Sequence, residues 1–347
     1  FFSHRQLVLH TLGMATALGS FDGQPMLRSD DVYMPMTPMF HVHAWGVPYI
    51  ATMLGVKQVY PGRYEPNKLV GLYQREAVTF SHGVPAVLQM VLNCEAATSA
   101  DLRGWKMITG GSAPTAALSQ QMADRGIEFV TAYGMSETCP ILTLVNLTDE
   151  ERARPANEQI DARIRTGMPI PLVDMRIVDP EGNDVVHDGE AMGEVVVRAP
   201  WLTQSYFKEP EKGEALWQNG WLHTGDVGSI DPQGVLQIKD RIKDVIKTGG
   251  EWVSTIELEN LISKHPAVVE VAVVGVPDER WDERPLAMLV LSPGADVTAE
   301  DIKNHLQQFV ASGEIAKWVI PERIELVDAL PKTSVGKIDK KVIRTLV

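Results

Sequence analysis

The sequence predicts an α/β chain in two domains: a large one over residues 1–239 and a small α+β one over 240–347. Three observations predict it. Short apolar runs alternate with helical stretches across residues 30–150, the pattern of parallel strands covered by helices on both faces. From about residue 166 to 239 the signals change to hairpins, so the large domain divides into α/β layers over about 1–160 and a small antiparallel sheet or barrel over about 161–239. After Asp240 a capping signal opens a helix that leads into two strands and a second helix, a compact unit of about 100 residues.

Each element has its own signal. Ser3 is placed to cap a first helix whose apolar side follows it. Strands are expected at 32–36, 79–84, 105–109 and 128–130, each a continuous apolar run. In the hairpin region 175–178 and 194–198 read as strands, and Asp179-Pro180-Glu181-Gly182 and Asp231-Pro232-Gln233-Gly234 have turn chemistry. Ser254-Thr255-Ile256-Glu257 is a capping box, and Leu258, Leu261 and Ile262 share one face of the helix it opens. Strands follow at 268–276 and 286–291, then a helix near 301–310 with Ile302, Leu306 and Phe309 at helical spacing. No internal repeat or low-complexity segment interrupts the pattern.

Composition sets limits. At 347 residues, 44% hydrophobic and 22% charged, the chain has the make-up of a soluble globular protein with a sizeable core. A formal net charge of −13 repels a nucleic-acid duplex, so no nucleic-acid partner is expected, whereas a small phosphorylated ligand needs only a local cluster of cations. The two cysteines, Cys94 and Cys139, form no paired framework and fit a reducing compartment. No apolar run reaches the roughly 18–20 residues that span a bilayer. The N-terminus lacks the order of a signal peptide, and the expected location is cytoplasmic.

Several segments carry residues suited to chemistry. Met107-Ile108-Thr109-Gly110-Gly111-Ser112-Ala113-Pro114 reads as strand, glycine turn and helix start, either a plain turn or a place where a flat or anionic ligand meets free amides. Thr131-Ala132-Tyr133-Gly134-Met135-Ser136-Glu137-Thr138 offers an aromatic face, hydroxyls and one carboxylate, as a nucleotide with magnesium requires; it reads equally as a polar loop after a strand. In Trp221-Leu222-His223-Thr224-Gly225-Asp226 the aspartate either binds ribose hydroxyls or satisfies a turn. His41 and His43 would project from one side of a strand, with no third metal ligand at a recognisable spacing. Met34, Met36 and Met39 suit an adaptable apolar pocket or simple core packing.

The order of these pieces is specific. Tyr133-Gly134-Met135-Ser136-Glu137-Thr138, then His223-Thr224-Gly225-Asp226 about 85 residues later, then the run Asp240-Arg241-Ile242-Lys243-Asp244-Val245-Ile246-Lys247-Thr248-Gly249-Gly250-Glu251, then Pro331-Lys332-Thr333-Ser334-Val335-Gly336-Lys337-Ile338 resemble, in order, the signatures of the adenylate-forming superfamily. Within it, Pro38-Met39-Phe40-His41-Val42-His43-Ala44-Trp45-Gly46 and the segment from Gly249 to Ser254 are most similar to bacterial medium- and long-chain fatty-acyl-CoA ligases.

The resemblance implies a fold of flavodoxin-like α/β layers, a small antiparallel β-barrel region and a mobile C-terminal domain. It implies ATP, magnesium and CoA as substrates and ion, a fatty acid as the other substrate, at most peripheral contact with membranes, and a homodimer. It assigns Lys337 to bridging the carboxylate and the α-phosphate, Glu137 to magnesium, and Ser136 to the α-phosphate. Tyr133 would flank adenine opposite Gly110, Gly111 and Ser112, with Thr131, Ala132 and Gly134 nearby. Asp226 would hold the ribose, and Arg241, Lys243 and Lys247 would add nucleotide contacts. His41 falls beside the acyl carboxylate, Trp45 at the gate of the acyl tunnel, Gly249, Gly250 and Trp252 toward CoA. Asp240 becomes the hinge, polar enough to be exposed in both domain orientations.

Other acids, short sulfur-containing or aryl, and a carrier-protein acceptor are the alternative uses of the same chemistry. The glycine-rich loop that cradles the β- and γ-phosphates in this superfamily would fall just before Phe1 and does not occur within the 347 residues. A start at Phe1 rather than Met is expected of a cut chain, inactive in adenylation by itself, with a non-catalytic nucleotide- or acyl-binding protein as the other explanation.

Overall fold

The structure, a computed structural model, describes residues 1–20, 26–249, 251–333 and 338–347. It divides into two compact units: one of Phe1–Pro114, Leu118–Thr224 and Gly228–Ile238, the other of Thr115–Ala117, Gly225–Val227 and Lys239–Val347.

The first unit is organised on a sheet of seven described strands: β1 (Val32–Pro35), β2 (Lys57–Gln58), β3 (Phe80–Gly83), β4 (Lys106–Gly110), β5 (Glu128–Gly134), β6 (Ile141–Leu144) and β7 (Met168–Pro169). Their order is β2-β1-β3-β4-β5-β6-β7, parallel from β2 to β5 and antiparallel from β5 to β7. Strand parity explains the continuous apolar runs. Tyr33, Phe80, Ile108 and Val130 face one core with Met14, Leu18 and Trp45; Met34, Met107 and Phe129 face another with Leu69, Leu88 and Met122.

A second sheet is antiparallel: β8 (Asp174–Val178), β9 (Gly193–Arg198), β10 (Trp217–Gln218), β11 (Trp221–Ile230) and β12 (Leu236–Arg241), ordered β10-β11-β9-β8 with β12 on β11. It is half of a barrel. Ile177, Val195, Val197 and Leu222 send their side chains into the first core, while Val178, Val196 and Trp221 pack on the other face. The Arg176 and Arg198 guanidinium groups lie 4.5 and 4.1 Å over the Trp221 ring. Both anticipated turns form: Gly182 N–H donates to Asp179 O, and Gly234 N–H to Asp231 O, each at 2.9 Å.

In the second unit β13 (Ile246–Thr248), β14 (Glu251–Val253), β15 (Val268–Asp278), β16 (Asp282–Leu291) and β17 (Arg323–Leu326) form a sheet ordered β14-β13-β16-β15, with β17 parallel to β16. Val271, Val273, Ala287 and Leu289 pack under the helices Thr255–Ser263 and Ala299–Ala311, which contribute Leu258, Leu261, Ile262, Ile302, Leu306 and Phe309. On the opposite face Ala272, Val274, Leu286 and Met288 meet Ile343 of the last helix, Lys340–Leu346. Of the expected capping box, half forms: the Ser254 hydroxyl accepts the Glu257 N–H at 3.1 Å. That hydroxyl also donates to Lys239 O.

Candidate active site

The glycine turn and the tyrosine segment lie side by side at the C-terminal ends of β4 and β5. Thr109 is in register with Thr131 and Gly110 with Ala132. The open end of a parallel sheet is where α/β folds bind ligands. A side chain at Gly110 would place its Cβ 2.6 Å from Ala132 O and 3.4 Å from the Trp45 ring, so only glycine allows this approach. Gly134 is equally constrained, its missing Cβ pointing at Pro140 O from 1.9 Å. Gly111 and Ser112 are exposed. The helix expected directly after them begins only at Ala116, because Pro114 intervenes; the turn offers its own amides rather than a helix terminus.

Beyond β5 the chain makes a single 3₁₀ turn, Ser136–Thr138, closed by Thr138 N–H on Met135 O and by Met135 N–H on Thr138 Oγ1, both at 3.0 Å. Ser136 is exposed and Tyr133 half-buried. Glu137 is anchored twice, its backbone oxygen accepting Thr203 N–H at 3.0 Å and its Oε1 accepting the Tyr206 hydroxyl at 2.5 Å. Burial and the Glu137 charge together push the Tyr206 phenol up, so it stays a donor. Tyr206 escaped the sequence reading, since nothing local links it to a carboxylate 69 positions away. Thr131 is buried, and its hydroxyl donates to Arg163 O at 2.9 Å.

His41 and His43 do not lie on one side of a strand. Val42, His43, Ala44 and Trp45 are all left-handed, with φ of 46°, 53°, 49° and 60°, and Gly46 ends the turn at 73°. Each such residue costs about 1–2 kcal/mol, or about 4–8 kcal/mol together. Burying Trp45 returns a similar amount, about 4–6 kcal/mol for about 150–250 Å² of aromatic surface. The turn leaves Trp45 at 4% exposure while His41 is half-buried and His43 exposed, its ring edge-on to Tyr49 at 5.7 Å. Strain of this kind collects at functional sites.

Beneath Trp45 lies a pair that sequence reasoning missed. The His82 ring sits 4.9 Å from the Trp45 ring, and His82 Nε2 shares a 2.7 Å hydrogen bond with the Tyr33 hydroxyl. His82 is fully buried, which pushes its pKa down to about 3 and keeps the imidazole neutral. Its Nδ1 has no hydrogen-bond partner among the described residues. Met34 and Met36 are core residues at 0% exposure, whereas Met39 is 47% exposed.

In the second unit Asp226, 7% exposed, sits 3.4 Å from Arg241 Nε. Lys243 and Lys247 are exposed. Gly249 N–H donates to Trp281 O at 3.0 Å, and Trp252 on β14 is 39% exposed. Asp240 departs from expectation: it is 2% exposed, because its carboxylate accepts Thr255 N–H at 2.7 Å and Arg241 N–H at 2.8 Å. Its buried position raises its pKa, a shift that Lys340 opposes. Lys337 and Gly250 lie outside the described residues.

The sequence model of the AMP-binding enzymes matches residues 1–207, and that of the AMP-binding enzyme C-terminal domain matches 257–337. The chain belongs to the AMP-binding enzyme family. It is 39% identical over 346 residues to a long-chain-fatty-acid–CoA ligase of Thermus thermophilus, covering 99% of this chain and 62% of that protein. It is also 39% identical over 348 residues to a 3-methylmercaptopropionyl-CoA ligase of Ruegeria lacuscaerulensis, with the same coverage. Among solved structures it resembles the anthranilate CoA ligase AuaEII in complex with anthranoyl-AMP, with a TM-score of 0.85 and 25% identity over 99% of this chain and 64% of that one. The chain therefore spans a little under two thirds of the length of the AMP-binding relatives it matches.

Proposed function

We propose that the native protein is a fatty-acyl-CoA ligase acting on medium- or long-chain acids. The carboxylate attacks the α-phosphorus of ATP, forming acyl-adenylate and releasing pyrophosphate; the CoA thiol then attacks the acyl carbon, forming the thioester and releasing AMP. The observation that carries this reading is the in-register pairing of Gly110 with Ala132, which sets the glycine turn beside Tyr133 with the Trp45 ring against it. The exposed turn at Gly111 and Ser112 and the half-buried Tyr133 beside it suit the faces of a flat base, and the named relatives are CoA ligases.

The residue roles belong to the same proposal. Gly110, Gly111, Ser112, Ala132, Tyr133 and Gly134 flank the base, and Ser136 offers its hydroxyl to the α-phosphate. Asp226 and Arg241 take the ribose and phosphate, with Lys243 and Lys247 adding charge. Thr131 contributes by supporting the strand, since its hydroxyl is engaged by Arg163 O. His41 and Trp45 hold the acid, Lys337 bridges the carboxylate and the α-phosphate, and Gly249, Gly250 and Trp252 face CoA about an Asp240 hinge. The boundary between the two units at Ile238 and Lys239 supports that hinge. Glu137 suits magnesium, a single carboxylate fixed by Tyr206 leaving the other positions to phosphate and water. When bound, the ion would neutralise phosphate charge. A homodimer and a cytoplasmic location complete the proposal and rest on the family resemblance.

A short sulfur-containing acid is the second reading. The chain is as identical to the 3-methylmercaptopropionyl-CoA ligase as to the fatty-acid enzyme, at 39% each. Acid-dependent pyrophosphate release and acyl-CoA formation by the native protein at its natural length, across C8 to C16 fatty acids and 3-methylthiopropionate, test both. Preference for the C8 to C16 acids is expected; preference for the thioether acid selects the second reading, and adenylate formation without CoA transfer removes CoA as the acceptor.

A further inference from the structure

The second unit contains a buried charge cluster that none of these roles uses. Thr255, 0% exposed, opens the helix whose N-terminus holds Asp240. Its Oγ1 accepts from Lys340 Nζ at 2.6 Å. The same ammonium lies 2.7 Å from Glu259 Oε1, one turn along that helix, and Glu259 also accepts Val273 N–H at 2.8 Å. The Lys340 and Glu259 side chains are each 17% exposed. One turn beyond Lys340, Arg344 pairs with Asp244 at 2.6 Å. Two cations four positions apart on the last helix thus engage the segment carrying Asp240 and Asp244, one through Thr255 and one directly.

Stability alone does not account for such a cluster, because apolar residues of similar volume hold a core as well as a buried ion group does. What charges add is a single geometry, set by directional hydrogen bonds at both ends. Lys340 stands three positions after Lys337. We propose that Lys340 is a positioning residue that ties the start of the last helix, and with it the chain leading from Lys337, to the Asp240 pivot. The proposal rests on the roles given above to Lys337 and Asp240. Loosening the tie frees the last helix from the pivot, and the half-reaction assigned to Lys337 is the one that should suffer. Misplacement by about 1 Å costs on the order of 100-fold in rate.

The test uses the native protein at its natural length. Lys340→Met combined with Glu259→Gln removes the ion pair, Lys340→Arg keeps both contacts, and Thr255→Val removes the hydroxyl that accepts from Lys340 while keeping the N–H that donates to Asp240. Acid-dependent pyrophosphate release, thioester formation from supplied acyl-adenylate and thermal melting are measured for each. The double variant is expected to melt near wild type, to adenylate at least about ten-fold more slowly, and to form thioester at the wild-type rate. Lys340→Arg should restore adenylation, and Thr255→Val should fall between. Adenylation at the wild-type rate in the double variant, or equal loss in both half-reactions, overturns the role of Lys340 alone. A wild-type protein that releases no pyrophosphate with any acid overturns the function and this proposal with it.

Discussion

Close to the candidate site the first unit buries two histidines neutral, while the second unit places Asp240 in a group of paired charges. His10 and His82 are both pushed down to about 3 by burial. They are held by single hydrogen bonds, His10 Nε2 accepting Ile141 N–H at 3.2 Å and His82 meeting Tyr33. Asp240, Glu259 and Lys340 form a connected ionic group instead. A neutral buried ring with one partner fixes a position at modest cost. An ionic group is costlier to break but fixes direction as well, which suits the rotation proposed for the second unit.

Of the changes that probe this contrast, Lys340→Met alone has the largest expected effect. It leaves the Glu259 carboxylate without its cation and should destabilise the second unit by about 3–5 kcal/mol, measured by denaturant unfolding. Tyr33→Phe in the first unit should cost less, about 1–3 kcal/mol for leaving His82 without its partner; an equal or larger loss would erase the distinction.

The two histidines also give the first unit an acid sensitivity. Their folded-state values near 3 lie below the ordinary 6.5, so the unfolded chain takes up protons first as pH falls. The stability they contribute is intact above pH 6.5 and is lost between 6.5 and 3, at up to about 1.4 kcal/mol per pH unit for each ring. Replacing Tyr33 and His82 together by Val and Ala should flatten the slope by one ring's share in melting curves taken at stepped pH. An unchanged slope would mean that His82 is protonated in the folded protein. The smallest effect is expected of Tyr206→Phe, about 0.5–1.5 kcal/mol in stability, with a raised magnesium requirement in pyrophosphate release because Glu137 loses its anchor.

The strands were legible because burial on both faces writes continuous apolar runs, as at Val32-Tyr33-Met34 and Lys106-Met107-Ile108. The glycine turn and the segment from Tyr133 to Glu137 were legible through residue type and order. The turn at Trp45 was not, since four successive left-handed residues ending in one glycine run against the usual backbone preference and go with burial of the indole. His82 was hidden inside an apolar strand, and the partners of Tyr206 and Lys340 are far away in sequence. The expected exposure of Asp240 failed for the same reason, as its two N–H donors become visible only once the helix at Thr255 is in place.

The proposed function turns most directly on whether Lys337 serves one half-reaction only. Lys337→Ala in the native protein at its natural length, assayed separately for acid-dependent pyrophosphate release and for thioester formation from supplied acyl-adenylate, measures this. The prediction is a loss on the order of 100- to 1,000-fold in adenylation with thioester formation preserved. Equal loss in both, or none in adenylation, would contradict it.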